Sequence, residues 1–303
     1  MTVIHPSTRP LDPLDALAER LEPLSAAQPF TTVWSVRDLA TGAAISRDGE
    51  RVVPSGSTRK VAILAAALAE AHAGRLDLEQ TVVVDERFRD EVFTGSLQRL
   101  EPGVVLRVQD LLTLMIIWSD NLSTAHIVEL VSLDTVNAYC ARLGLHGTAH
   151  RHALIPALPA DHPVEATNAT TTDDQVALLT ALVRGSTSES AAAELGLSPN
   201  LCRLALEMLD GQQHRNGLPA FLPNEVRVGH KSGRGWRDFS DVGVVYDGDR
   251  PAFAIAVATD GLSGTDADGL PVIVSAVRYV ATVSRLAWEA LVRDRAESDG
   301  GAA

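Results

Sequence analysis

The chain has 303 residues, 46% of them hydrophobic, and carries a formal net charge of −13 with a pI near 5.1. That length and apolar content suffice for one large buried core or two smaller ones. The acidic balance argues against nucleic acid and anionic membrane as partners, since both would repel the protein, and no apolar run reaches the length of a membrane span.

Residues 1–24 hold prolines and acids where a secretory signal would have a basic start and an apolar core, which predicts a cytoplasmic protein. Leu14, Leu17, Leu21 and Leu24 recur at helical spacing and predict an amphipathic helix over 11–24, its end bracketed by Pro23 and Pro29. Thr31 to Leu39 alternates as a strand. Ala40-Thr41-Gly42 turns the chain, and Ala43 to Val53 returns as a second strand with a turn signal at Asp48-Gly49. The stretch Pro54-Ser55-Gly56-Ser57-Thr58-Arg59-Lys60 then runs into Val61 to Ala73. Its alanines and leucines favour a helix, with Val61, Leu64 and Leu68 on one face and Gly74 as the stop.

From there to about Leu209 the pattern is mainly helical. Asp110 to Trp118 is apolar on every side, which predicts a helix in the middle of the larger lobe that delivers Ser119 at its end. After Pro223 the pattern changes to strands, at Glu225 to Lys231, Asp241 to Tyr246 and Ala252 to Thr259, with a turn at Asp247-Gly248-Asp249. Val272 to Arg293 closes the chain as an amphipathic helix, and Asp294 to Ala303 reads as a polar tail. Strands at both ends with helices between imply an α/β (α+β) molecule. Residues 1–56 and 222–303 form a sheet lobe, residues 57–221 form an inserted helical lobe, and the two make a single catalytic domain with a cleft between them.

Ser57 falls at the first turn of its predicted helix, where unpaired N–H groups favour negative charge on a neighbouring oxygen. Lys60 stands three residues on, on the same face. A serine is a weak nucleophile until a base takes its proton, and a lysine whose pKa is lowered by burial is able to do so. A serine capping a helix is the plain alternative. The composition tips the balance: of 26 Lys plus Arg, only Lys60 and Lys231 are lysine. Arginine does not give up its proton in a protein and lysine does, so chemistry that needs a proton acceptor resists the exchange. Lys231 begins Lys231-Ser232-Gly233, and Ser119-Asp120-Asn121 lies between the two lysines.

The order Ser-x-x-Lys, Ser-Asp-Asn, Lys-Thr/Ser-Gly resembles the active-site set of class A β-lactamases and penicillin-binding proteins. The resemblance spans roughly Phe30 to Trp288 and is closest to the class A-like serine hydrolases. Supporting text is Gly95-Ser96-Leu97-Gln98, the run Leu111 to Asn121, Val136-Asn137 within Asp134 to Gly144, and Thr170-Thr171-Thr172. It implies a β-lactamase/transpeptidase-like fold with an antiparallel sheet, and an acyl-enzyme mechanism. In that mechanism Ser57 attacks a carbonyl and Lys60 accepts its proton, while the N–H groups of Ser57 and Arg234 hold the oxyanion. Ser119, near Lys231, passes a proton to the leaving group, and Asn121 holds the substrate and anchors Lys60. Ser232, Gly233, Arg234 and Trp236 border the substrate, with Arg234 and Arg237 as candidates for a substrate carboxylate. Asp120 reads as structural. Individually, each motif also reads as an ordinary turn, cap or strand end.

One departure concerns release of the acyl group. Class A enzymes carry a glutamate on the loop before the threonines, and the matching place here is Ile155 or Pro156, neither of which is a base. Glu165 lies in the same loop about ten residues nearer the threonines, and Asp161, His152 and His162 are further candidates. His146, His150, His152 and His162 lack a supporting carboxylate or cysteine pattern, so no metal is expected, nor any cofactor. Cys140 and Cys202 read as free thiols. The substrate class is a small-molecule or peptide-like acyl donor. Three outcomes stay open: hydrolysis with Lys60 as base in both halves, transfer of the acyl group to an amine, or a non-catalytic β-lactam-binding sensor that stays acylated.

Overall fold

The computed structural model describes residues 12–85, 87–89, 94–154, 156–159 and 161–295. It opens with helix α1 (Pro13–Ala26), capped by Asp12, whose carboxylate accepts from the Leu14 N–H at 2.9 Å. The helix runs through Pro23 instead of ending there. A five-stranded antiparallel sheet is assembled from both ends of the chain: β1 (Thr31–Asp38), β2 (Ala44–Arg47), β7 (Val228–Arg234), β8 (Asp238–Asp247) and β9 (Arg250–Asp260), in the order β2-β1-β9-β8-β7.

Alternation along the strands divides the two faces of the sheet. Phe253, Ile255 and Val257 join Trp34, Val36 and Val245 against Leu14, Leu17 and Leu21 of α1 and Tyr279, Val280 and Val283 of the closing helix α9 (Val272–Trp288). Ala254, Ala256, Val242 and Val244 face the helical core instead. That core is centred on α2 (Lys60–His72), in which every residue from Lys60 to Ala69 is buried. Small alanines let neighbouring helices approach it closely.

The expectation that Asp110 to Trp118 forms the helix in the middle of the larger lobe is therefore corrected. Helix α3 (Val108–Ile117) keeps Gln109, Asp110, Thr113, Leu114 and Ile117 partly exposed, and α2 takes the central place. The second strand expected over Ala43 to Val53 also divides. β2 ends at Arg47, and β3 (Val53–Pro54) pairs instead with β6 (Ala169–Thr170) beneath the loop that precedes it. A third pairing joins β4 (Thr81–Val83) to β5 (Val105–Arg107). The β7–β8 hairpin is tighter than its sequence pattern predicts, running through Arg234 and resuming at Asp238.

The helical region is completed by α4 (Asn121–Val131), α5 (Leu133–Arg142), α6 (Thr172–Gly185), α7 (Glu189–Glu194) and α8 (Pro199–Asp210). The last described residues follow α9 through a π-helical turn, Glu289–Arg293, and Arg295 donates to Asp38 Oδ2 at 2.8 Å. The remainder of the expected tail, 296–303, lies outside the described residues. No helix among the described residues is long and apolar enough to cross a membrane.

Candidate active site

Ser57 sits in the tight turn entering α2. The chain arrives from β3 with Gly56 at φ +48°, a left-handed conformation that suits glycine. It then steps into the helix through i→i+3 bonds, Thr58 N–H to Ser55 O at 2.9 Å and Lys60 N–H to Ser57 O at 3.2 Å. Regular helix starts at Lys60, so the serine precedes it by three residues. Glycines let this turn touch the edge strand β7. A Cβ on Gly233 would lie 2.9 Å from Ser57 N, and one on Gly56 would lie 2.9 Å from Arg234 N.

The hydrogen-bond parity of β7 then gives Arg234 its direction. Gly235 N–H donates to Asp238 O at 3.1 Å and Tyr246 N–H to Arg227 O at 3.0 Å, so odd-numbered residues bond to β8 and the even-numbered ones present N–H and C=O outward. Arg234 N–H faces the free edge beside Ser57 N–H, and the two amides make a pair of donors for an oxyanion.

Lys60 is 1% exposed. Its Nζ donates to Asn121 Oδ1 at 2.7 Å, to Ser119 O at 2.8 Å and to Ser119 Oγ at 3.3 Å. Among the described residues no hydrogen bond joins it to Ser57 Oγ. Burial, then the neighbouring charge of Lys231, then Arg59 hold its pKa well below that of an ordinary lysine, against the opposing pull of Asp120. Lys231 is fully buried and donates to Ser232 O at 2.7 Å. Burial brings its pKa down to about 7 against the pull of Asp241. That carboxylate is itself held by His230 Nδ1 at 2.9 Å and the Leu218 N–H at 2.8 Å. The expected contact of Ser119 with Lys231 is absent from the described hydrogen bonds; Ser119 is bound to Lys60 instead.

Ser119 occupies the joint between α3 and α4 at φ +54°. A left-handed serine is strained, and such strain gathers at functional sites. Asp120 next to it is structural, as its position suggests: it caps α4 by accepting from Ser123 N–H at 2.8 Å and ties in Leu97 N–H at 2.9 Å.

Ser57, Ser119, Asn121, Ser232, Arg234 and Trp236 line one open cleft of about 770 Å³. Gly233 backs it, and both lysines lie buried behind its wall. Sequence reasoning did not single out Trp118, His214, Asn216 or Phe239, which also line it. Trp118 directly precedes the Ser-Asp-Asn motif, and that adjacency was the available signal. His214 packs edge-on to Trp118 with centroids 5.8 Å apart. Trp236 is 50% exposed and donates from Nε1 to Pro156 O at 3.3 Å.

Arg237 is drawn away from the cleft by Asp260, at 2.6 and 2.9 Å. Glu165 is exposed on a short 3-10 turn, Val164–Ala166, and Asp161 is exposed; neither lines the cleft. His152 and His162 hold their own loop, to Ala166 O and Pro163 O at 3.0 Å each. Ile155 lies outside the described residues. The two cysteines are buried free thiols.

A hydroxyl at a helix entrance, a buried amine one turn behind it and two amides on the facing edge form an arrangement suited to a serine hydrolase. The chain belongs to the β-lactamase enzyme family, whose model matches residues 16–291. Among solved structures it is similar to a β-lactamase from Sphaerobacter thermophilus, at 26% identity over 91% of this chain and 97% of that one, with a TM-score of 0.76. The ancestral class A β-lactamase of the last common ancestor of Gram-negative bacteria is 25% identical over 90% and 99% of the two chains, also with a TM-score of 0.76. The protein PBP-A shares the fold, at 24% identity and a TM-score of 0.75 over 91% of this chain and 96% of that one. A comparison with curated protein sequences returns no match.

Proposed function

We propose that the protein opens an amide, lactam or ester carbonyl of a small-molecule or peptide-like donor by forming an acyl-enzyme on Ser57, with Lys60 as the proton acceptor and no cofactor. The observation that carries this reading is the Lys60 amine, buried and held by Asn121 and Ser119 one turn from the serine. Ser57 Oγ bonds to the carbonyl carbon as its proton passes to Lys60 Nζ, directly or through a water. The proton then crosses to Ser119 Oγ, 3.3 Å away, and on to the leaving nitrogen or oxygen as its bond to carbon breaks. Lys60 ends the first half neutral. The Ser57 and Arg234 amides take the negative charge on the carbonyl oxygen, a contribution of about 3–4 kcal/mol for each well-placed donor.

The described lining of the cleft contains no carboxylate. That supports slow release of the acyl group, or its transfer to an amine, as the property separating this protein from enzymes with a deacylating glutamate. Intact-mass measurement after mixing with a chromogenic β-lactam or an activated ester tests the reading. Turnover, with a transient adduct on Ser57, supports hydrolysis. An adduct discharged only by added amines supports transfer, a permanent one supports a sensor, and no adduct from any donor overturns all three.

A further inference from the structure

Arg59 stands between the nucleophile and its base, and the mechanism above does not use it. The side chain is 1% exposed, and its only hydrogen bond among the described residues is Nη2 to Ala153 O at 2.5 Å. Its Nε and Nη1 are buried with no partner among the described residues, and no described carboxylate pairs with it. Burial brings the guanidinium down to about 10, so it still carries its charge at neutral pH. A buried cation without a counter-ion is among the costliest groups a fold can hold, and an apolar side chain of similar volume commonly replaces such groups without loss of stability. A purely structural account therefore does not explain why an arginine stands here.

The charges around Lys60 supply another account. After burial, the positive charges of Lys231 on β7 and of Arg59 in the turn before α2 both disfavour a charged Lys60. Asp120, at the cap of α4, opposes them, but its oxygens are committed to the Ser123 and Leu97 amides. Asp241 lies beside Lys231 on β8. His150, in the loop after α5, is kept neutral by burial and by Arg59, its imidazole pushed down to about 3.

We propose that Arg59 is a positioning residue for the base: its buried guanidinium, one residue from Lys60 and paired with no described carboxylate, weakens the hold of the Lys60 amine on its proton. The consequence for release of the acyl group rests on the acyl-enzyme reading; the coupling of Arg59 to Lys60 does not. In that release, water gives a proton to Lys60 Nζ while its oxygen bonds to the ester carbon. The bond from that carbon to Ser57 Oγ then breaks, and Oγ takes the proton back from Lys60. No carboxylate is required.

The composition makes the test direct. With two lysines in the chain, protein labelled with ¹³C at lysine Cε shows two titrating signals, and Lys231→Arg assigns them. In Arg59→Met the Lys60 signal is expected to titrate at least about one pH unit higher, a tenfold loss of neutral amine at a given pH. The acid limb of Ser57 acylation should shift with it, and the melting temperature should be unchanged or raised. Arg59→Gln is the second variant, for the case that methionine does not pack. An unmoved Lys60 titration in whichever variant folds overturns the proposal, as does failure of both to fold. A moved titration without acylation of the wild type upholds the coupling and overturns the functional reading instead.

Discussion

Lys60 shows why charge alone does not define the site's chemistry. Its three hydrogen bonds all run to acceptors on the Ser119-Asp120-Asn121 segment, and burial, then the charge of Lys231, then Arg59 weaken its charged form. An arginine keeps the positive charge and never becomes a base. Lys60→Arg is therefore expected to lower acylation by about 10²–10⁴-fold, read as the rate of adduct formation by mass; a rate within threefold of wild type refutes the role. Asn121→Ala removes the 2.7 Å acceptor that holds the amine. Its acylation rate should fall by at least about tenfold, and stability should fall by about 1–3 kcal/mol because the buried amine is left short of an acceptor.

At the scale of elements, the site is made where the turn before α2 meets the free edge of β7. The two approach so closely that each contributes a glycine at the contact. Alanine at Gly233 would place its Cβ 2.8 Å from Ser55 O and 2.9 Å from Ser57 N, both backbone atoms with little room to yield. Gly233→Ala is predicted to push β7 off the serine turn and spread the two oxyanion amides. The expected signature is a loss of acylation of about 10²-fold with the sheet intact by circular dichroism. Normal acylation in this variant would show that β7 does not supply the oxyanion donor. The β7–β8 hairpin is tighter than its pattern predicted because the pairing continues three residues past Lys231, to Arg234, and the Gly235 N–H to Asp238 O bond closes the turn.

Across the whole molecule, buried titratable groups tie stability to pH. Asp238 lies fully buried behind Gly56, beside a cavity of about 10 Å³ that has room for a single water. Its Oδ2 has no hydrogen-bond partner among the described residues. Burial first, then the charge of Asp260, push its carboxyl up to about 8 against the pull of Arg237. Below pH 4 the group is protonated in both folded and unfolded chains and changes nothing. As pH rises from about 4 to 8 the unfolded chain ionises and the folded one does not, so stability is lost progressively, and above 8 the loss is complete. Asp238→Asn removes that dependence. Its stability relative to wild type, from urea unfolding, should grow between pH 4 and 8 by at most about 1.4 kcal/mol per pH unit and then level off. A difference independent of pH would mean that Asp238 is ionised in the folded protein. Lys231, with its amine brought down to about 7, acts with opposite sign between about pH 7 and 10.5, where folding is increasingly favoured as pH rises.

The sequence by itself determined the candidate reacting groups and the order of elements that carry them. Serine to lysine at three residues is a local relation set by the turn that enters α2, and the scarcity of lysine marks two cations as candidates for chemistry. Strands at both ends with helices between also follow from periodicity that neighbouring residues impose. Tertiary structure alone decided which charges stand uncompensated. Arg59 and Asp238 read as ordinary polar residues until burial removes water from them, and burial depends on what packs from distant parts of the chain. It also decided that α2, not α3, takes the centre, that Arg237 turns to Asp260, and that Glu165 stays outside the cleft. Each of these is settled by a neighbour far away in sequence, and local spacing carries no record of it.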